Sequence, residues 1–400
     1  MKAFGKWEAI GVAVILMAVA LFVGCSDSDD GDDDDDGPSG ESSSTVDKLI
    51  VESVTGDTVY LIAENGTSLA VESDGTVHVA FHTLSTPDYM DAGYYVANLI
   101  YGVLEGESWD FTNIEGNETD GETAIALDGS DNPVILYQAV DGGPGALTLA
   151  EQKNDGWSKT VIAEGSGDSG CGGWNGLTID NQGAKHIVWD GNNYAAFSTG
   201  QPAKEEFLEY DQVMLDVDIA IDDAGVNHIC SYSGQGSGVW YIKGTPGNWE
   251  ASKVDEDGPT RIGYDCRIAV DDQNNVHIVY GEYGDGIADN IRYATNASGQ
   301  WEAMELEGEG NVGNFPAIAV DPENRVHVTY RDNDNNRLKY AVIEDGSATI
   351  AVLGDLDAPI EDYMLTGQSA IVAQGQTVYV AYDNGGELML ARFPIGWEFE

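Results

Sequence analysis

Positive charge is what this chain has least of: 17 Lys and Arg stand against 70 Asp and Glu, a formal net charge of -53. So acidic a surface repels phosphate backbones, which excludes nucleic-acid binding and disfavours charge-driven docking on anionic lipid. Cysteine is scarce, at four, so no disulfide-dense scaffold holds the fold. Proline numbers 11, too few for an extended Pro-rich chain. No uncharged apolar run reaches the ~20 residues of a membrane helix, and no strong helical period follows residue 45. Glycine, by contrast, is abundant at 50, and 42% of residues are apolar, enough for a large core in a turn-rich chain. Four hundred residues suit two or three average domains, or one large all-β barrel or propeller.

The N-terminus reads as an export address. Lys2 and Lys6 precede an uncharged run from Ala9 to Gly24, short for a span and suited to a secretory core. The run closes on Leu21-Phe22-Val23-Gly24-Cys25. A small residue before a lone Cys resembles the lipobox of bacterial lipoproteins, with Phe22 where that family usually has Leu. The resemblance implies a signal peptide over 1–24, lipid on Cys25, and membrane attachment through that lipid alone, at the outer membrane of the cell envelope. A plain signal peptide or a single-helix anchor is the alternative. Residues 25–45 are Asp- and Ser-rich with almost no apolar side chain, which makes them a self-repelling, solvated tether. The folded part, 46–400, remains acidic in its own right.

An internal repeat sets the fold class. AIAVDPENRVHVTYRD from Ala317, RIAVDDQNNVHIVYG from Arg267 and SLAVESDGTVHVAFH from Ser68 share one grammar. Further copies start near Ile125, Leu177, Ile219 and Ala370, and one position is held in turn by His78, Val134, His186, His228, His277, His327 and Tyr379. Each unit has an alternating strand, an Asp-led turn, a second strand ending in an aromatic, a third such as IRYAT or LKYAV, and a fourth opening on Trp. Trp109, Trp157, Trp249, Trp301 and Trp397 take that place, with Phe207 substituting in the third unit and no clear counterpart in the sixth. Four antiparallel strands every ~50 residues make a propeller blade. The expectation is all-β: a single seven-bladed propeller whose last blade is completed by the N-terminal segments LIVESV and TVYLIAE, leaving no open edge.

The motif also resembles a repeat of exported bacterial and archaeal proteins, S-I-A-V-D-x-x-G-N-x-H-V-x-Y followed by L-K-Y-A, over most of residues 58–400. That family is read as BNR-like or sialidase-like propellers. The Asp-box S-x-D-x-G-x-x-W is absent as such; Ser73-Asp74-Gly75 is a partial echo.

Repeated residues read as scaffold. Five histidines at one repeat position pack between blades and hydrogen-bond a neighbouring loop, and the repeated Asp caps a turn. His82, off that position, is a candidate site residue. Function is sought on the unequal loops at one end of the ring. Tyr94, Tyr95, Trp174, Tyr264, Tyr283 and Asp285 supply aromatic faces and acceptors suited to a sugar ring. An enzyme of the resembled class needs converging arginines and a tyrosine, for which Arg261, Arg267, Arg331, Tyr264 and Tyr283 are the candidates. Asp332, Asp334 and Asn336 have calcium-loop spacing, although Arg337 stands where the tight Gly belongs. No cofactor is required, calcium being the one that the spacing suggests. Of the remaining cysteines, 171, 230 and 266, adjacent blades favour Cys230 with Cys266 for a bridge. The leading functional expectation is non-catalytic binding of a glycan or protein partner on the loop face. A glycan-active hydrolase or polysaccharide lyase is the alternative, and a structural assembly platform the third.

Overall fold

Every regular element among the described residues is a β-strand. The computed structural model describes residues 49–54, 60–61, 66–84, 97–140, 145–153, 156–165, 172–200, 202–206, 214–233, 238–255, 261–284, 287–308, 310–356, 368–384 and 387–399. All belong to one compact unit, 43–400. The lipobox Cys25 and the Asp-rich tract lie outside them, as do Cys171 and Phe207.

The strands form seven antiparallel blades. Blade one runs from the axis outward through β3 (Ser68–Val71), β4 (Val77–Leu84), β5 (Ala97–Glu105) and the first half of β6 (Ser108–Leu127). The second half of β6 is the innermost strand of blade two, continued by β7 (Pro133–Ala139), β8 (Ala146–Lys153) and β9 (Gly156–Glu164). Blade three is β10 (Asn175–Ile179), β11 (Lys185–Trp189), β12 (Asn193–Phe197) and β13 (Ala203–Glu206). Blade four is β14 (Met214–Ile221), β15 (Asn227–Ser233), β16 (Val239–Thr245) and β17 (Asn248–Lys253). Blade five is β18 (Arg261–Val270), β19 (Val276–Gly284), β20 (Ile287–Thr295) and β21 (Glu302–Glu307). Blade six is β22 (Val312–Val320), β23 (Val326–Asp332), β24 (Arg337–Glu344) and β25 (Ser347–Asp355). Blade seven is β26 (Ser369–Gln374), β27 (Thr377–Asp383) and β28 (Leu388–Pro394), finished by the N-terminal β1 (Ile50–Ser53).

That last pairing, Ile50 opposite Arg392 through Ser53 opposite Met389, closes the ring as the sequence suggests for LIVESV. The second spare segment behaves differently: its described part, β2 (Tyr60–Leu61), pairs with Leu84 and Thr83 of blade one. The Trp pattern is also less regular than expected. Trp397 follows β28 outside any strand and packs with Phe399 against the blade six–seven core.

The core is not central. It consists of seven apolar clusters, one at each blade–blade junction, including one that joins Tyr379 and Leu390 of blade seven to Leu69 and Phe81 of blade one. Second strands are therefore covered on both faces, and β7, β23 and β27 are buried along almost their whole length. Outer strands meet water on one face, and β17 alternates exposed and half-buried residues. This gradient explains why second strands read as near-continuous apolar runs while outer ones alternate.

A hydrogen-bonded triad stiffens five blades. His327 Nδ1 meets Tyr340 Oη at 2.6 Å, and its Nε2 meets Asp321 Oδ2 at 3.0 Å. His186, His228 and His277 repeat this with Tyr194/Asp180, Tyr241/Asp222 and Tyr293/Asp271, while His78 uses Tyr101 and Glu72. The histidines are structural, as expected, but their partners lie in the same blade: the acid of their own hairpin turn and a third-strand tyrosine. The tyrosine then reaches the next blade, where Tyr101, Tyr194 and Tyr241 meet Trp157, Trp249 and Trp301 edge-on.

Candidate functional site

The innermost strands start at the mouth of the central channel, and there the repeat is broken. Four of them, β6, β14, β18 and β22, carry a bulge between the mouth and the regular ladder. At the bulges Asp216, Asp265 and Phe315 adopt φ of 49°, 53° and 51°. Left-handed backbone at non-glycine residues costs free energy, and such strain clusters where a structure aims side chains for a purpose.

Just inside the bulges, the register places Ser68, Ala124, Gly176, Asp218, Arg267, Ala317 and Ala370 at one level of the ring. All seven line a cavity of about 320 Å³. Five of them are small, as a crowded axis demands. Blades four and five instead project a carboxylate and a guanidinium. The wall is completed by Glu122, Thr123, Asn175, Gln368 and Ser369, with Phe315 and Pro316 supplying apolar surface.

Arg267 donates through Nη2 to Glu122 Oε1 at 2.9 Å and through Nη1 to the Cys266 carbonyl at 3.0 Å. Asp218 accepts the backbone N–H groups of Ile219 and Ile268. Asp216 accepts the Asp265 N–H, and Asp265 accepts that of Phe315 at 3.4 Å, so each bulge acid caps the bulge of the next blade. Burial pushes the Glu122 carboxyl up even though Arg267 pulls it down, and Asp218 behaves likewise. Asp216 is driven well above the usual carboxylate range by burial, then by repulsion from Asp265 and Glu122. Burial works against the Arg267 cation, but Glu122, Asp218 and Asp265 more than restore it. The result is an acid-rich, partly desolvated polar pocket, the setting in which perturbed groups mark function.

His82 stands behind this wall. It is 3% exposed, and a Cβ on the cavity-lining Gly66 would approach its Nδ1 to 2.8 Å. Burial pushes its pKa down to about 4, so it is neutral. Below the mouth Cys230 and Cys266 are fully buried free thiols within hydrogen-bonding reach of each other, not the bridge that blade adjacency favoured. The Cys266 thiol instead donates to the Asp216 carbonyl at 3.0 Å.

Of the residues singled out in the sequence, Arg267 lines the cavity and Arg331 does not. Arg331 is buried in β23, where its Nη2 donates to Asn336 Oδ1 at 2.8 Å. Trp174, next to the cavity-lining Asn175, packs on the blade three–four core. Arg261, Tyr264 and Tyr283 are placed by backbone alone, with Arg261 opposite Tyr283 in the β18–β19 pair. Tyr94, Tyr95 and Asp285 lie outside the described residues. In the calcium-spaced turn each of the three residues has other work. Asp332 holds Asn335 and pairs with Lys339 Nζ at 3.2 Å, Asp334 accepts the Asn311 N–H, and Asn336 accepts Arg331. Glu122, Asn175 and Asp218 went unnoticed in the sequence. For Asp218 a signal was available: at the position four before the turn acid, only Asp218 and Arg267 depart from small residues, whereas nothing comparable marks Glu122 or Asn175.

No protein-family model matches the chain, and no curated protein sequence matches it. Solved structures do. A protein of unknown function from Dyadobacter fermentans aligns with a TM-score of 0.51 at 12% identity, over 87% of this chain and 98% of that one. An arginine-to-alanine triple mutant of AofleA from Arthrobotrys oligospora aligns at 0.50 and 11%, over 78% and 92%. The chain has the fold of a seven-bladed β-propeller. A Hadza microbial sialidase is among the similar structures, at a TM-score of 0.47 and 10% identity over 75% and 74%. Likeness this distant establishes the propeller alone, so function rests on the axial site.

Proposed function

We propose that this chain is an exported, lipid-anchored propeller that binds a glycan non-catalytically, holding one sugar unit in the axial cavity. The observation that carries this reading is the cavity itself: about 320 Å³ of polar wall on the ring axis, at the low end of small-ligand sites. Its lining mixes hydroxyls, amides and carboxylates with Phe315 and Pro316, which suits a ring that offers both O–H groups and an apolar face. The Gly24-Cys25 lipobox and the self-repelling Asp tract support presentation away from the membrane on a tether. A glycan-array screen of the full chain tests it. Selective binding should weaken about tenfold or more in Arg267→Met, because the guanidinium organises the wall. Binding to no glycan, or equal binding by the variant, would sink the reading.

One observation favours hydrolysis as a second reading. A buried carboxyl whose pKa is raised by desolvation, as burial does for Glu122, is the kind of group that serves as a general acid. Release of reducing sugar from an array hit, abolished in Glu122→Gln, would replace binding with turnover.

A further inference from the structure

We propose that the axial cavity selects a ligand bearing a protonated amine, and, on the reading of that cavity as a sugar site, that the ligand is an amino sugar with a free amino group. Four acids, Glu122, Asp216, Asp218 and Asp265, act electrostatically on one guanidinium, Arg267, and two of them, Glu122 and Asp218, line the cavity with it. Arg267 is already engaged by Glu122 and the Cys266 carbonyl, so it has little left for an anion. A carboxylated sugar would meet acids with no free cation facing it, and would be repelled.

The second observation concerns acceptors with nothing to accept. Asn175 lines the cavity and is 5% exposed. Its amide nitrogen donates to Glu122 O at 2.9 Å and Gly172 O at 3.0 Å, which fixes its orientation. Its Oδ1 then has no hydrogen-bond partner among the described residues. Asp216, 2% exposed, has Oδ2 in the same condition, but it is not one of the residues that line the cavity. A buried acceptor without a donor is costly and calls for an explanation. An ammonium group, with three donors and a positive charge, answers both the missing donor at Asn175 Oδ1 and the excess of acids over cations in the lining. A metal ion answers the geometry less well, since no three acidic, histidine or cysteine side chains among the described residues are grouped to hold one. The overall charge of -53 would also concentrate cationic ligands near the mouth.

The test is calorimetric titration of the full chain with a glucosamine disaccharide carrying free amines, its N-acetylated counterpart, spermidine and calcium chloride. The free-amine disaccharide should bind about tenfold or more tighter than the acetylated one, since acetylation removes the charge and two of three donors. Asp218→Asn should erase most of that preference, with a melting curve confirming that the variant is folded. Equal affinity for the two disaccharides overturns the amine inference and leaves the glycan reading standing. Array glycans that bind through Arg267 while neither disaccharide does overturn it in the same way. Spermidine binding as tightly as the amino sugar keeps the amine and removes the sugar. Calcium competing stoichiometrically at the same site overturns the inference in favour of a metal.

Discussion

In blade four, β14 carries Asp216 and Asp218 at the channel mouth and runs directly into Asp222 at its hairpin turn; in blade five, β18 carries Asp265 and runs into Asp271. The spacing is a few residues, yet the two ends handle a carboxylate in opposite ways. At the turn, burial alone would push Asp271 up. The Asn275 side chain and backbone amide, with His277, carry it below the usual range instead. Asp321 is lowered in the same manner by His327, Arg325 and Glu323. At the mouth the donors are too few, so burial wins and Glu122, Asp216 and Asp218 are raised. Burial is common to both ends. What differs is the number of N–H groups aimed at the oxygens, and that number separates acids that hold the blade together from acids that await something else.

The comparison is broken most forcefully at the turn. Asp321 is fully buried and accepts from the Glu323 and Arg325 amides, from Arg325 Nε and from His327 Nε2. Asp321→Ala should cost about 3–5 kcal/mol, because it removes the buried partner of the half-buried Arg325 and leaves His327 Nε2 and two backbone amides without their acceptor. Urea denaturation would show this as a lower midpoint with an unchanged slope. A loss below about 1 kcal/mol, the scale of an ordinary exposed interaction, would mean that the turn acids are not scaffold.

The mouth should respond with the opposite sign. Asp216 has a folded pKa well above its unfolded value, so the folded state binds the extra proton. Its favourable contribution is complete below the unfolded pKa of ~3.9 and is lost as pH rises through the raised folded pKa. Asp216→Asn cannot titrate. It should match the parent near pH 4 and be the more stable of the two at pH 8. Melting temperatures across pH 4–8 would reveal the divergence, and parallel curves would show that the mouth acids are as well satisfied as the turn acids.

Much of this architecture is visible in the sequence because it is repeated. The turn acid, the left-handed residue after it (Asn274 at φ 62°, Asn324 at 63°) and the histidine recur at fixed offsets, so the blade and its number could be read directly. Tyr293 in IRYAT and Tyr340 in LKYAV were equally visible, but their contact with His277 and His327 depends on third-strand register, which loop length conceals. The site was hidden for a different reason. Attention to long loops led to Tyr94, Tyr283 and Asp285, whereas the cavity is built from strand starts, where a bulge shifts the register by one residue. Bulges leave no mark in composition. The mark they do leave is positional: an Asp and an Arg where five other blades keep Ser, Ala or Gly.

Blade two supplies the finest test, because it runs the same fold without the triad. It has Val134 where other blades have His, Leu149 where they have Tyr, and Asn132 bonded to the turn acid Asp128. Histidine and tyrosine are thus exchanged together. In blade six, His327→Val alone leaves the Tyr340 hydroxyl buried without its partner, and Tyr340→Leu alone leaves His327 Nδ1 in the same state. The double replacement leaves neither and imports a pairing that blade two already uses. Its loss should therefore fall short of the sum of the single losses by about 1 kcal/mol, the scale of coupling between residues in contact. A double-mutant cycle by urea denaturation measures that shortfall directly. Strict additivity would mean that the two rings only fill space, and the distinction between satisfied turn and unsatisfied mouth would then rest on the acids alone.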